Sequence, residues 1–183
     1  MDEKRLRQFR ELGLTISYYR RLKGLTQEEL TGMLIENSDE PYAEKIARAV
    51  MGEIKRGREV ATTTRLYEMV DRALAFIPEE ERKEAVKKSC QRTFQALRID
   101  VNSEFEVLYE FLDKLPGVLK PGGRAAILTF HSGEDRIVKK SFKEMYRAGL
   151  YSQVATDVIR PTAEERRMNS RAHSTKMRWA VKA

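Results

Sequence analysis

The chain has 183 residues, a net charge of +7 and charged side chains at 34% of its positions. That length suits one domain of ordinary size, or a small domain with an appendage. One cysteine (Cys90) and two histidines (His131 and His173) exclude an internal disulfide framework and argue against a metal site. No apolar run approaches transmembrane length and no apolar signal core follows Met1, so the expectation is a cytoplasmic chain with no membrane segment. A basic chain of this kind is a candidate for a nucleic-acid partner.

Residues 1–24 carry an apolar stripe at helical spacing: Leu6, Phe9, Leu12, Ile16, Tyr19 and Leu22. Thr26 and Glu29 form a capping box, and Leu30, Met33 and Leu34 continue the helix behind it. The string L-G-L-T-I-S-Y-Y-R-R-L-K-G-L-T-Q-E-E-L, Leu12 to Leu30, resembles the first two helices of the Cro/repressor helix-turn-helix family. A polar recognition helix does not follow Leu34; Asn37-Ser38-Asp39-Glu40-Pro41 is a longer break. Residues 1–40 therefore read as a helical hairpin, weakly helix-turn-helix-like, and a DNA-binding regulator is one functional alternative.

Residues 41–101 read as a second helical region. Tyr42 to Arg56 has Ile46, Ala49, Val50 and Ile54 on one face and ends at Gly57, a natural C-cap. Thr62, Thr63 and Thr64 offer N-caps to a helix faced by Leu66, Met69, Val70, Ala73 and Leu74. Glu79 to Lys88 is densely charged and reads as a solvated helix. Gln91 to Asn102 changes character, with Phe94, Leu97 and Val101 facing a core and Arg92, Gln95 and Arg98 reaching out. This switch is the expected boundary between all-helical and strand-bearing sequence. Cys90 reads as inert, because no nucleophile constellation surrounds it.

From residue 102 onward the pattern becomes α/β. Ser103 and Glu106 suggest a capped helix with Phe105, Leu108, Phe111, Leu112 and Leu115 inward, broken by Pro116-Gly117. Pro121-Gly122-Gly123 is a turn. Ala125 to Phe130 is a short apolar run that suits a strand buried on both faces. Ser132 with Asp135 resembles another capping box, and Ile137, Val138, Phe142, Met145 and Tyr146 recur at helical spacing. Phe130, His131 and Ser132 thus lie where a strand ends and a helix begins, the usual place for ligands in open α/β sheets. Tyr151 to Ile159 holds room for a second strand. Met177 to Lys182 alternates as a last one, with Met177, Trp179 and Val181 on one side and Trp179 expected in the core. Between Arg160 and the C-terminus, seven Lys or Arg stand against two Glu. Such closely spaced cations suit a phosphate backbone.

Three stretches share one resemblance: R-T-F-Q-A-L-R-I-D-V-N at Arg92 to Asn102, L-K-P-G-G-R-A-A-I-L-T-F-H-S-G-E-D-R-I-V-K-K at Leu119 to Lys140, and N-S-R-A-H-S-T-K-M-R at Asn169 to Arg178. In order and spacing they resemble the MraW family of small-subunit ribosomal RNA methyltransferases. P-Y-A-E-K-I-A-R-A-V at Pro41 to Val50 fits that family's helical insertion. The resemblance runs from about residue 28 to the end and covers the second half of a family member. Gly133 stands where the family commonly has Leu, and His173 where it commonly has Arg.

The resemblance implies a helix-rich α/β fold. The largely helical N-terminal half is followed, over 102–183, by the last strands of an incomplete Rossmann-like sheet, with Ala125 to Phe130 as its fifth strand. It implies methyl transfer from S-adenosylmethionine to the exocyclic amine of a cytosine in 16S rRNA. Phe130, His131 and Ser132 would lie at the catalytic edge. Arg92, Arg98, Arg171, Lys176 and Arg178 are the rRNA-contact candidates, Arg98 with a structural ion pair as its alternative. The family's Gly-rich cofactor turn follows its first strand and opens a helix. Gly122-Gly123 instead precedes a strand, so the cofactor site is expected to be largely absent here and the chain alone inactive. Two partners are expected: the small ribosomal subunit, and a second chain or second copy completing the sheet. A non-catalytic RNA-binding module is the remaining alternative.

Overall fold

The computed structural model describes residue 22, residues 24–58, residue 60 and residues 62–183. The proposed first helix and most of the helix-turn-helix-like string lie outside the described residues. The chain divides into two compact units, Met1–Glu104 and Phe105–Ala183, and its fold is helix-rich α/β.

The first unit is helical among its described residues. Helix α1, Gln27–Ser38, starts at the expected capping box. Thr26 N–H donates to Glu29 Oε2 at 2.7 Å, and Glu29 N–H donates to Thr26 Oγ1 at 3.2 Å. Helix α2, Ala43–Lys55, buries Ile46, Ala47, Val50 and Met51. Gly57 follows at φ +73, as a C-cap glycine should. Helix α3, Thr63–Ala73, is capped by Thr62, whose hydroxyl accepts from Arg65 N–H at 3.0 Å. These faces meet in one apolar core.

Helix α4 runs unbroken from Glu79 to Val101, so the change of character at residues 91–102 is the second half of one helix. The inward positions Val86, Cys90, Thr93 and Leu97 keep helical spacing throughout. Only the exposed side changes, from acidic and lysine-rich to mixed polar.

The second unit packs helices on one face of a three-stranded sheet. Helix α5, Glu104–Val118, continues through Pro116. A proline that late removes one ladder bond in the last turn, which the helix survives. Leu112 and Leu115 are buried, but Phe111 is half exposed, as are Val107 and Tyr109. Strand β1, Arg124–Thr129, leads into helix α6, Ser132–Arg147, then strand β2, Tyr151–Val154. A short helix α7, Ala163–Met168, and a 3₁₀ turn, Ser170–Ser174, precede strand β3, Lys176–Lys182. The sheet order is β1-β3-β2, and both pairings are antiparallel.

Two expectations about the sheet are corrected by this pairing. Strand β1 is not buried on both faces: Ala125, Ile127 and Thr129 face inward, while Arg124, Ala126 and Leu128 face away. In β3 the buried side carries Arg178 and Ala180, and Trp179 is only partly buried. The register explains it. Trp179 opposes Ala126 and Met177 opposes Leu128, so both share the uncovered face.

Candidate functional site

The geometry at the end of β1 is built by a cap. The N-cap of α6 is His131, one residue before the expected Ser132, which becomes the first helical residue. His131 Nδ1 accepts from Glu134 N–H at 3.4 Å. Glu134 answers from the third helical position: its Oε2 accepts from Phe130 N–H at 2.9 Å. The pair closes a reciprocal box around the elbow, with imidazole in place of the usual hydroxyl. Because Nδ1 accepts, the neutral ring carries its proton on Nε2. That atom is buried and lacks a well-formed hydrogen bond, though Glu134 Oε1 lies 3.3 Å away.

The carboxylate of Glu134 is held well below its ordinary range. Burial pushes it up, but the His131 imidazole beside it and the hydrogen bond from Phe130 N–H outweigh burial and bring it down to about 2. Glu134 therefore stays ionised and keeps the elbow closed at neutral pH. Phe130 itself is 54% exposed, so the elbow ends in an open aromatic ring.

A second contact fixes the imidazole from the side. The Phe105 ring of α5 lies 5.9 Å from the His131 ring, tilted at 41°. Gly133 makes the space. A Cβ there would sit 2.8 Å from Phe105 Cζ and 3.2 Å from His131 Nδ1.

Arg178 joins the same turn from beneath. It is buried, and its guanidinium grips Asp135 through two bonds, Nε to Oδ1 at 2.7 Å and Nη2 to Oδ2 at 3.2 Å. Asp135 N–H donates in turn to His131 O at 3.3 Å. The middle strand is thereby bolted to the first turn of α6.

The other candidates lie elsewhere. Arg171 is exposed in the 3₁₀ turn, and Lys176 is partly buried at the start of β3. Arg92 and Arg98 belong to α4 in the first unit. Arg92 Nη1 lies 4.0 Å from the buried carboxylate of Glu40. Arg98 makes the two-pronged ion pair that was its alternative, with Glu104 at 3.0 and 3.1 Å. Cys90 is buried and its thiol is pushed up to about 12 by burial, then by the charges of Glu40 and Asp71. It stays a neutral thiol.

The Gly122-Gly123 turn does not form a cofactor cradle. Gly122 N–H donates to Lys182 O at 3.1 Å and Gly123 N–H to Lys120 O at 2.8 Å. Both amides are consumed in turning the chain, and a cradle needs them pointing at a ligand. These residues do not fit S-adenosylmethionine.

The profile of the MraW methylase family matches residues 11–183. The chain belongs to the MraW methylase family. It is 67% identical over 168 residues to ribosomal RNA small subunit methyltransferase H 1 of Lachnoclostridium phytofermentans, covering 92% of this chain and 46% of that protein. It is 62% identical to the protein of the same name from Agathobacter rectalis, covering 92% of this chain and 48% of the relative. Ribosomal RNA small subunit methyltransferase H 2 of Alkaliphilus metalliredigens is 58% identical over the same share of this chain. The MraW chain described here thus spans about half the length of the curated relatives it matches.

Glu134, Asp135 and Phe105 are the site residues that sequence reasoning undervalued. Acids in the first turn of a helix are ordinary partners of its dipole, so residue type alone does not mark these two. The H-x-x-E spacing from His131 to Glu134 was the available signal, masked by the more familiar S-x-x-D one residue later. Nothing local marks Phe105 as a neighbour of His131.

Proposed function

We propose that this chain is one part of a cytoplasmic, S-adenosylmethionine-dependent methyltransferase acting on the exocyclic amine of a cytosine in 16S rRNA. The observation that carries this reading is the His131–Glu134 elbow at the end of β1, in a chain of the MraW family. Methyl transfer to an amine needs the acceptor base held and oriented beside the donor. Phe130 offers a half-exposed ring for a base to stack on. Glu134 fixes the backbone of Phe130 through its N–H, with Arg178 and Asp135 as positioning residues behind the elbow. Arg171 and Lys176 lie on the segment of the second unit that would meet the rRNA backbone, and Arg92 is a separate candidate of the first unit. The cofactor's cradle is assigned to sequence outside the described residues, so no step through the cofactor is drawn from this chain. Among the described residues, no helix is long and apolar enough to cross a membrane.

Calorimetry with S-adenosylmethionine tests the assignment of the cradle. The chain alone should show no tight binding; a one-to-one complex would overturn it. Radiolabelled methyl transfer to small ribosomal subunits, with this chain completed by the rest of a relative, tests the site. There His131→Ala and Phe130→Ala should each lower turnover at least about 100-fold, the scale of a lost positioning group. Undiminished turnover in both would remove the elbow from the reaction.

A second reading is favoured by the exposed basic stretch from Arg166 to Arg171. In it the chain binds RNA without catalysis. Salt-dependent binding to small-subunit rRNA, with no methyl transfer in the completed enzyme, would select it.

A further inference from the structure

Three arginines that build this fold spend the same edge of the guanidinium. Arg178 gives Nε and Nη2 to Asp135, and Arg98 gives Nε and Nη2 to Glu104. Arg82 gives Nε to the Asp71 carboxylate and Nη2 to the Asp71 carbonyl oxygen. That edge carries the two parallel N–H groups that match a carboxylate or a phosphate. In the turn that follows α2, two arginines keep it unspent. Arg56 bonds Glu53 Oε1 through Nη1 at 3.1 Å, and Arg58 bonds both Glu53 oxygens through Nη1 at 3.3 Å. Among the described residues, no bond engages Nε or Nη2 of either one.

Glu53, a buried residue of α2, is the anchor. Its Oε2 also accepts from Arg65 Nη2 of α3 at 2.6 Å, and Arg65 gives Nη1 to Glu68 at 2.8 Å. Burial pushes the Glu53 carboxyl up, but the bonds and charges of Arg58, Arg56 and Arg65 outweigh burial and hold it below its ordinary range. One arginine, Arg65, already balances that buried charge and ties α2 to α3. Arg56 and Arg58 are surplus to this task, with side chains 65% and 59% exposed against 26% for Arg65. They stand side by side, because both reach the same oxygen. Adjacent like charges repel, and an anion held between them relieves the repulsion. The C-terminal dipole of α2 would oppose such an anion, but its end is closed. Glu53 O accepts from Arg56 N–H and Arg58 N–H, and Ile54 O accepts from Gly57 N–H.

We infer that Arg56 and Arg58, held in place by Glu53, form a binding site for one phosphate group. Each arginine presents its Nε–Nη2 edge. A phosphate has oxygens enough to fill two such forks at once, whereas a carboxylate fills one. Its charge also answers the two surplus cations. The group has two sources, the backbone of an RNA and a free phosphate compound, and the fork reads both alike. The site lies wholly within the first unit and involves no step of methyl transfer.

Proton–nitrogen NMR of the arginine Nε groups in the full chain reads the site directly. Titrated with pyrophosphate at constant ionic strength, the Arg56 and Arg58 signals should shift together and saturate. The double variant Arg56→Gln with Arg58→Gln should weaken pyrophosphate binding by about tenfold or more. Arg56→Lys with Arg58→Lys keeps both charges and the ties to Glu53 but removes the forks, and should still weaken binding by about fivefold. Arg48→Gln removes an exposed arginine of α2 paired with Glu44 and should change binding by less than about twofold. Small-subunit rRNA separates the sources, and this arm alone rests on the proposed function. If the phosphate is the RNA's, the glutamine double variant should shallow the slope of log affinity against log salt by roughly 0.7 to 0.9. If it belongs to a free compound, the slope should stay unchanged while pyrophosphate binding is lost. The inference is overturned if no saturation occurs, if chloride reproduces the shifts (an adventitious ion only), if both double variants bind as the native chain does, or if Arg48→Gln loses as much as they do. Pyrophosphate binding as described, with no methyl transfer in the completed enzyme, would sink the proposed reaction and leave this site standing.

Discussion

Glu134 closes the elbow through one carboxylate that serves two residues, and its charge carries a pH signature. Its pKa lies at about 2, below the ordinary 4.5. A depressed carboxylate stabilises the fold fully above its unfolded value, and that stabilisation is lost as pH falls through the folded value. The gap in melting temperature between the native chain and Glu134→Gln should be constant above about pH 5 and close between about pH 4.5 and 2. A gap that stays the same down to pH 2 would mean that the carboxylate does not hold Phe130 and His131 as described. Gly133 tests the other side of the imidazole. Gly133→Leu, which restores the family's common residue, must push Phe105 off His131, because even a Cβ comes within 2.8 Å of the ring. The expected result is a changed His131 ring environment by NMR, with helix content retained. Part of this site was legible. Phe130 and His131 were placed at the strand end by the apolar run and the turn that bound it. The cap was misplaced by one residue, because an imidazole acceptor is a rarer cap than a hydroxyl.

At the scale of elements, the helices were the legible part and their sites of strain follow simple rules. Thr26 and Thr62 were recognisable caps because a hydroxyl at that spacing has a geometric task. The continuity of the long helix α4 was less legible, because its surface composition shifts at residues 91–101 although the inward spacing never changes. The sheet's faces were less legible still, since alternation in a strand does not say which side is covered; the register with Trp179 and Met177 does. Two glycines in the first unit make opposite predictions. Gly32 lies within α1 and a Cβ there meets nothing within 4 Å. Gly32→Ala should stabilise the chain by about 0.5–1 kcal/mol, since alanine loses less freedom on entering a helix. Gly57 also has open space around it but sits at φ +73. Gly57→Ala should destabilise by about 1–2 kcal/mol, through backbone strain alone. Urea unfolding of both variants checks the pair; equal signs would contradict the backbone account.

Across the whole molecule the governing quantity is the net charge of +7, and its distribution separates exposed cations from cations that build the fold. The motif N-S-R-A-H-S-T-K-M-R contains both kinds within ten residues, and sequence alone treats them alike. Arg171 is exposed, whereas Arg178 is sealed against Asp135 with its side chain 7% accessible. A guanidinium already engaged in a two-pronged buried pair has no face left for phosphate, and removing it leaves a buried carboxylate uncompensated. Arg178→Met should therefore cost about 3–5 kcal/mol of stability. Arg171→Ser should cost almost none. Binding to small-subunit rRNA should separate them in the reverse sense. Each phosphate contact contributes roughly 0.7 to 0.9 to the slope of log affinity against log salt. Arg171→Ser should shallow that slope by about one such step. Arg178→Met, measured under conditions where it remains folded, should leave the slope unchanged. A shallower slope for Arg178→Met at full folding would place its charge on the RNA surface and break the division between the two arginines.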